Sequence, residues 1–376
     1  MINLFTGEFL QHPIPFEMSM DLCSHSCVYC FASVREKKNK FNLKGFIAQM
    51  KRYGDGADSF LFRKLREGYP VCLSNNTDPF SANNEAFTES ILEYFKIRNI
   101  RVFFQTKGGR RATELIKAYG LKSVVYVTIT TDSDEISKRI EHNAPVTSER
   151  IQLIKDLIDM GNEVIVGINP FNCNWIADER LDELMKSLSQ IGVYSFVLSP
   201  LVIRRKRVPL YENRDFAGVD VKDVKQGQFR NLNEALTKII QIQEQGQYKI
   251  ITHAHPWETQ AFNIVKEVYH NKVLPTNNDF FIYNGGIDAG IEVTRENYTK
   301  WVTYNFSNFF NEDKSVNLLQ YLFVQHKTEY TKHCKENSNL IRMASWYFDI
   351  LPKEFGFLEK VDKDRYIIKG RLTLRK

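Results

Sequence analysis

The chain has 376 residues, of which 43% are hydrophobic and 26% are charged, and its formal net charge is +6. These values describe an ordinary globular protein, long enough for two or three domains or for one barrel with an appended region. No run of about 18 apolar residues occurs, which excludes a membrane-spanning helix, and without a basic start followed by an apolar block we expect no signal peptide. The basic balance permits a nucleic-acid partner but does not by itself indicate one.

The first 200 residues alternate short apolar strands with helical segments. The predicted strands are 16–22, the apolar start of 69–80, 100–105, 123–130, 163–168 and 193–199, and the predicted helices are 43–53, 57–67, 85–97, 112–118, about 148–160 and about 177–190. Six strands that alternate with helices indicate a parallel α/β barrel or partial barrel. Ligands of such sheets lie at the carboxyl ends of the strands, so the polar residues there are the candidates for a site.

Three of the six cysteines, Cys23, Cys27 and Cys30, follow the first predicted strand within eight residues. Thiolates this close converge on a metal, a cluster or each other. A zinc site needs a fourth Cys or His ligand, and His25 is too near its neighbours to complete one comfortably. A 4Fe–4S cluster usually takes four thiolates, so with three of them one iron keeps an open coordination position. The alternative is an unusual zinc knuckle or chance clustering.

Polar side chains also stand at the ends of the second and third predicted strands. After the second strand come Asn76, Thr77 and Asp78, followed by Pro79. These small groups either hydrogen-bond the head group of an amino-acid ligand or start the next helix as caps. After the third strand, Lys107 either pairs with a carboxylate ligand or lies in a surface turn.

The fourth and fifth predicted strands carry polar residues as well. Thr128 and Thr130 alternate on one face of the fourth strand, where they either face a ligand or fill the barrel. Arg139 follows on a short helix, and its guanidinium suits a carboxylate through bidentate hydrogen bonds; the alternative is an ion pair on the helix surface. The fifth strand closes with Asn169-Pro170, and Cys173 comes after it.

The CxxxCxxC spacing, with Tyr29 before the last cysteine and Phe31 after it, resembles the radical S-adenosylmethionine (SAM) enzymes. The resemblance implies that the three cysteines hold a 4Fe–4S cluster whose fourth iron chelates the amino and carboxylate groups of SAM. It also implies that Tyr29 and Phe31 flank the adenine. An external one-electron reductant would then drive cleavage of SAM to methionine and a 5′-deoxyadenosyl radical, which abstracts hydrogen from a substrate.

Within that superfamily, the strand ends over about residues 16–200 resemble the spore photoproduct lyase branch. The matching features are Thr106-Lys107, Thr128 and the stretch Arg139-Ile-Glu141-His-Asn-Ala-Pro145, after which Arg150 begins a helix. The resemblance implies a partial (β/α)6 radical SAM barrel. The residues that it implies help to hold SAM are Asn76, Thr77, Lys107, Thr128 and Arg139.

One position departs from that branch. The hydrogen-donating cysteine of the lyase is matched here by Asn75, whose amide does not readily donate hydrogen to a carbon radical. We therefore do not predict thymine-dimer repair by that mechanism. Cys173 is the better-placed replacement thiol and a catalytic candidate, while the alternative for it is a free structural thiol. Cys72 is expected to lie buried in its strand, and the scattered cysteines, with Cys334, suit a reducing cytoplasm rather than a disulfide framework.

Beyond residue 200 the resemblance fades. The basic run 203–208 either follows a phosphate backbone or forms a solvated loop. His253, His255 and Trp257 either line a substrate pocket or pack in the interior. The aromatic residues frequent within 279–310 either stack a base or build a core. Further predicted elements are a helix at 232–245 and a strand at 248–254.

Near the end of the chain, from about residue 314, two helical stretches precede a strand–turn–strand pattern. This pattern predicts an α+β extension that resembles a winged-helix unit. Such units bind nucleic acid or serve as protein contacts, and the basic residues of the hairpin favour the first use. These residues are Arg365, Lys369, Arg371 and Arg375.

We therefore predict three regions: a radical SAM partial barrel at 1–200, a barrel extension and substrate cap at 201–312, and a C-terminal helix and hairpin unit at 313–376. The predicted function is a radical SAM enzyme that acts on a nucleic acid or nucleotide, with a small metabolite as the alternative substrate. The alternative class is a non-enzymatic nucleic-acid-binding protein whose cysteines hold zinc or a structural cluster. We expect a cytoplasmic protein with no membrane partner.

Overall fold

The main sheet has eight strands that lie side by side in sequence order. The computed structural model describes residues 1–4, 10, 12–34, 41–74, 76–201, 203, 205–221, 249–252, 260–286, 288–310, 340–355 and 357–369. The strands are β1 (Asn3–Leu4), β2 (Phe16–Met18), β3 (Val71–Leu73), β4 (Val102–Thr106), β5 (Val124–Thr128), β6 (Glu163–Phe171), β7 (Ser195–Pro200) and β8 (Lys249–Thr252). β1 is antiparallel to β2, and every neighbouring pair from β2 to β8 is parallel.

Helices lie between the parallel strands, because a parallel connection needs a crossover. They are α1 (Leu43–Gly54), α2 (Phe60–Arg66), α3 (Glu85–Ile97), α4 (Arg110–Tyr119), α5 (Asp134–Ile140), α6 (Thr147–Asp159), α7 (Asp178–Gln190) and, after β8, α8 (Gln260–Val268). Parallel strands in linear sequence order with helices between them make up a partial βα barrel, so the predicted fold class is confirmed. The strand predicted at 248–254 is β8, and the helix predicted at 232–245 lies outside the described residues.

Both faces of the sheet are buried, which is why its strands are apolar at consecutive positions. On β4, Val102 and Phe104 belong to the large outer core that includes Leu115 and Ile116 of α4. Phe103, between them, belongs to a separate inner cluster. All five residues of β5 are buried for the same reason.

The inner cluster fills the amino-terminal half of the barrel. Cys72 and Phe103 pack there with Ile14 and with Tyr269 from the end of α8. The Tyr269 hydroxyl donates to the Val102 carbonyl at 2.6 Å and accepts from an adjacent strand amide at 3.0 Å. Cys72 is thus buried as expected, and the carboxyl ends of the strands remain for a site.

The C-terminal part contains a second, antiparallel sheet of three strands in the order β10, β11, β9. Its elements are α9 (Asn277–Tyr283), β9 (Glu292–Thr294), α10 (Arg295–Phe310), α11 (Leu340–Phe348), α12 (Leu351–Glu354), β10 (Leu358–Lys360) and β11 (Arg365–Ile368). The predicted terminal hairpin is confirmed as β10 and β11. It pairs with β9, which comes from the stretch predicted as barrel extension.

The aromatic residues of this part divide into two sets. Phe280, Tyr298 and Trp301 are buried in the core, and the Phe280 ring contacts each of the other two edge to face, as the core alternative requires. Tyr283 and Tyr304 are 69% and 75% exposed. Within the described ranges, the helices are all too short or too polar to cross a bilayer.

Candidate functional site

The three cysteines lie on the loop 19–34, here called the cysteine loop, which leaves β2 at its carboxyl end. The turn after α5 holds this loop by its backbone. The Val28 amide donates to the Ile140 carbonyl at 2.9 Å, and Cys27 and Glu141 form an antiparallel bridge. The turn that carries the Arg-x-Glu stretch therefore fixes the middle of the cysteine loop.

The segment after β3 holds the start of the loop with two amide side chains. Asn83 accepts from the Ser24 amide at 3.0 Å and donates to the Leu22 carbonyl at 2.7 Å. Asn84 donates to the Asp21 carbonyl at 3.0 Å. The segment after β3 and the turn after α5 thus both hold the cysteine loop.

Asp78 joins the ends of β3 and β4. Its carboxylate accepts from the backbone amides of Phe80 at 2.9 Å and Lys107 at 2.5 Å, and from the Thr106 hydroxyl at 2.9 Å. Because α3 begins only at Glu85, the alternative in which this polar turn caps a helix is wrong. The turn instead ties the β3 end to the strand end that carries Lys107.

The three cysteines of the loop differ in burial. Cys27 is buried, while Cys23 and Cys30 are half-buried, and the Cys30 amide donates to the Cys27 carbonyl at 3.1 Å in a tight turn. Burial raises the pKa of the Cys27 thiol to about 12, although the Lys107 ammonium opposes the rise. A thiolate at Cys27 therefore needs a positively charged ligand such as a metal to replace its proton.

The donor set fits an iron–sulfur cluster. Among the described residues, no three Cys, His, Asp or Glu side chains are gathered closely enough to ligate one ion. Zinc binds Cys thiolates at about 2.3 Å, and in an iron–sulfur cluster each cysteine binds a different iron. Cys23, Cys27 and Cys30 lie on a single loop, and thiolates are the ligands that an iron–sulfur cluster takes.

Behind the cysteine loop lies a fully buried ion pair. The Arg150 Nη2 donates to the Glu141 Oε2 at 2.5 Å, and both side chains are 0% exposed. Arg150 also donates to the carbonyls of Pro145 at 2.7 Å and Thr128 at 3.1 Å. The Tyr29 hydroxyl donates to the other Glu141 oxygen, so this carboxylate connects the cysteine loop to β5 and α6.

Charges within this network fix its protonation. Burial disfavours the ionised Glu141, but Arg150 and Lys107 outweigh burial and hold the pKa of Glu141 below its ordinary value. Burial and then the Glu141 carboxylate raise the pKa of Tyr29 well above its usual range. Near neutral pH, Glu141 is thus an anion and Tyr29 a neutral hydrogen-bond donor.

Lys107 places a positive charge beside the cysteine loop. Its ammonium lies 5.6 Å from the centroid of the Tyr29 ring. Burial disfavours the charged form, yet Cys27 and Glu141 outweigh burial and raise the pKa of Lys107. Within the described part of the chain, this ammonium makes no hydrogen bond or ion pair, so it is available to an anionic ligand.

The structure brings some of the candidate residues together and separates others. Tyr29, Lys107 and the carbonyl of Thr128 meet around the Glu141–Arg150 pair. Thr77 lies on the β3 turn, where its hydroxyl is 2.6 Å from a serine hydroxyl. Half-buried Asn76 precedes it, and its neighbour Asn75 lies outside the described residues.

Three candidates stand apart from that network. Arg139 is exposed and pairs with Asp215 through its Nε and Nη2 at 3.0–3.2 Å, which matches the surface ion pair weighed from the sequence. Phe31 is 46% exposed. Cys173 is half-buried and packs against the main core, with its Sγ 3.9 Å from the Asn174 side-chain oxygen.

Sequence reasoning missed the residues that carry the buried charges. Glu141 and Arg150 were noted only as parts of the resemblance, and Asp78 only as a head-group ligand or helix cap. The available signal was the turn itself, in which Glu141 lies nine residues before an arginine on the next helix. His25, which faces Asp78 at 3.7 Å, carried no separate signal.

Two other predicted features have different outcomes. In the basic run, Ile203 and Val208 are buried with Val28 and Trp175, so this stretch is not simply a solvated loop. The cluster of His253, His255 and Trp257 lies outside the described residues, as do Cys334, Arg371 and Arg375.

Comparison with known proteins gives distant likenesses. No family model matches the chain. The uncharacterized protein ORF301 of Acidianus two-tailed virus is 25% identical over 185 residues, which cover 46% of this chain and 62% of that protein. The chain therefore matches less than two thirds of the length of this relative.

The solved structures that align with part of this chain include those of SuiB and of spore photoproduct lyase. SuiB from Streptococcus suis, bound to S-adenosylmethionine, aligns with a TM-score of 0.41 and 16% identity over 68% of this chain and 53% of its own. Spore photoproduct lyase complexed with dinucleoside spore photoproduct aligns with a TM-score of 0.46 and 14% identity over 64% of this chain and 76% of its own. A mutant of the same lyase contains bound AdoMet together with that dinucleoside.

Proposed function

We propose that this chain is a radical SAM enzyme. Cys23, Cys27 and Cys30 would hold a 4Fe–4S cluster, and SAM would bind the remaining iron at the mouth of the partial barrel. The observation that carries the proposal is the position of the three-cysteine loop at the carboxyl ends of parallel strands, beside the Lys107 ammonium. When bound, such a cluster supplies the electron that cleaves SAM, and an external one-electron reductant would replenish it.

The residues of the chain have separate parts in this proposal. Lys107 would pair with the carboxylate of SAM, since its ammonium has no acceptor among the described residues. Tyr29 would stand beside the cofactor with its ring fixed by the bond to Glu141. Asn76, Thr77 and Thr128 would contact SAM from the strand ends, as the resemblance implies.

Three further candidates have less structural support. Arg139 would contact SAM only after leaving Asp215, and the exposed Phe31 would gain contact area from the adenine. Cys173 would serve as a thiol near the mouth of the barrel. Alanine variants of these residues with unchanged turnover would remove them from the site.

Metal analysis of anaerobically purified and reconstituted protein tests the proposal. We expect about four irons and four sulfides per chain, and a change in the electron paramagnetic resonance spectrum on adding SAM. The triple variant C23A/C27A/C30A should lose the iron, whereas C72A should keep it. One zinc per chain would favour the non-enzymatic alternative.

We further propose a nucleic acid or nucleotide as the substrate, with a small metabolite as the alternative. The basic net charge, the resemblance to the lyase branch and the exposed Tyr283 and Tyr304 support this choice. Formation of 5′-deoxyadenosine should rise when an oligonucleotide is added to the reduced enzyme. No rise, together with no oligonucleotide binding at low salt, would favour the metabolite.

A further inference from the structure

The segment after β7, residues 205–221, packs on the outer side of the cysteine loop and is called the strap here. It begins with a 3-10 helix over Arg205–Leu210. Val208, Tyr211 and Phe216 are buried in one cluster with Val28 of the cysteine loop. This apolar contact holds the strap against the loop.

Two strap residues also hydrogen-bond the loop backbone. Arg214 Nη1 donates to the Val28 carbonyl at 2.7 Å and to the Ser33 hydroxyl oxygen at 3.3 Å. The hydroxyls of Tyr211 and Ser33 both donate to the Cys30 carbonyl, at 3.3 Å and 2.7 Å. The Arg214 guanidinium lies over the Tyr211 ring at 4.9 Å, so the two side chains support each other.

The bonded carbonyls belong to the second half of the cysteine motif. Val28 lies between Cys27 and Cys30, so a bond to its carbonyl restricts the turn that sets the spacing of these two thiols. Arginine remains charged at all ordinary pH values. A fixed positive charge near a cluster favours the reduced form, because cluster potentials depend on net charge and hydrogen bonding.

We propose that Arg214 and Tyr211 are positioning residues of the metal site, which fix the Cys27–Cys30 turn and raise the reduction potential of the cluster. This inference rests on the proposed function. The family resemblance ends near residue 200, so it assigns neither residue to the site. The barrel site thus depends on a segment that follows β7.

The test compares R214Q, R214K and Y211F with R110Q as the control. Arg110 is a highly exposed arginine that pairs with Glu114, so its substitution removes the same charge without removing a hydrogen bond to the cysteine loop. Hydrogen exchange of the metal-free protein reports the order of the loop, and a redox titration of the reconstituted protein reports the potential. Melting temperatures identify any variant that fails to fold.

We expect the Val28 and Cys30 amides to exchange several-fold faster in R214Q and R214K, and to a smaller extent in Y211F, than in R110Q. We expect a lower midpoint potential in R214Q, because its positive charge is lost, and a nearly unchanged one in R214K. If the wild type holds a cluster but R214Q and Y211F match R110Q in both measurements, the positioning role is wrong. If the wild type binds no four-iron cluster, the proposed function is wrong, and the proposed effect on the reduction potential is wrong as well.

Discussion

Glu141 offers the clearest test at the scale of single residues. Its carboxylate and Arg150 are both fully buried and bonded, and removing one partner of such a pair leaves an uncompensated charge that costs about 3–5 kcal/mol. We expect E141Q to lower the free energy of unfolding by that amount in a urea titration. The double variant E141Q/R150Q should lose less than the sum of the two single variants.

A matched control exists on the surface. Glu296 pairs with Lys300 one helical turn away, and both are exposed. E296Q should leave the urea midpoint almost unchanged, because exposed pairs contribute little. Equal losses for E141Q and E296Q would show that burial of the Glu141–Arg150 pair does not matter for stability.

The same carboxylate predicts a pH dependence. Burial would raise the pKa of Glu141, but Arg150 and Lys107 hold it below the ordinary value of 4.5. Because its pKa is lower in the folded state, ionised Glu141 stabilises the fold at pH values above the ordinary pKa. This stabilisation is lost as the pH falls toward the folded-state pKa. The difference in the free energy of unfolding between wild type and E141Q should therefore become smaller as the pH is lowered from 7 to 3. A difference that stays constant would contradict a lowered pKa for Glu141.

Lys107 makes a prediction about the cofactor. A hydrogen bond to a charged group contributes about 1.5–3 kcal/mol, which corresponds to roughly ten- to hundredfold in affinity. We expect K107M to weaken SAM binding to the reconstituted protein by this factor in a calorimetric titration. K122M, at an exposed lysine paired with Glu163, should bind like the wild type, and equal affinities for all three proteins would exclude Lys107 from the site.

Which arginine reaches Glu141 could not be predicted from the sequence. Arg139 is two residues from Glu141, yet it lies on the surface with Asp215. Arg150 is nine residues away, and it reaches Glu141 from α6, where it also donates to the Thr128 carbonyl of β5. The Arg-x-Glu spacing indicates the candidate turn, but side-chain direction depends on how two helices pack, which local spacing does not encode.

At the scale of elements, the barrel strands were predictable because each is apolar on both faces and lies between helical patterns. β2 is shorter than the predicted strand 16–22, since the chain leaves the sheet after Met18 to form the cysteine loop. The partner of the terminal hairpin was not predictable. β9 has only three residues and lies more than 60 residues before its partner β11, so only tertiary contacts define it.

The packing of the Tyr126 ring of β5 over Gly167 of β6 can be tested by substitution. A Cβ added at Gly167 would lie 2.0 Å from the Tyr126 hydroxyl oxygen and 2.1 Å from the ring carbon that bears it. Overpacking of this kind costs about 1–3 kcal/mol. We expect G167A to lower the urea midpoint accordingly, and Y126A/G167A to lose less than the two single variants combined.

The control for that substitution is Gly54 at the end of α1. An added Cβ there meets only the Arg98 side chain, at 3.4 Å. G54A should be neutral or slightly stabilising, because alanine favours helix. G167A with the stability of G54A would mean that the Tyr126 ring does not cross β6 in solution.

For the whole molecule, the basic net charge is not located on the β10–β11 hairpin, because Arg365 and Lys369 there are paired with carboxylates. Arg365 pairs with Glu292 and Asp362, and Lys369 pairs with Glu359. Basic residues neutralised within the chain release few counterions when a nucleic acid binds. The expected source of electrostatic affinity is therefore the basic run 203–208, in which the sequence has four successive cations at 204–207.

Salt dependence of oligonucleotide binding separates these two regions. Each phosphate contact contributes about 0.9 to the slope of log affinity against log salt for a duplex and about 0.7 for a single strand. R365Q/K369Q should keep the wild-type slope, because those charges are already paired. R205Q/K206Q/R207Q should reduce the slope for a single strand by about two, since three phosphate contacts would be lost. The reverse result would place nucleic-acid binding on the hairpin, and would show that its ion pairs open when the polymer arrives.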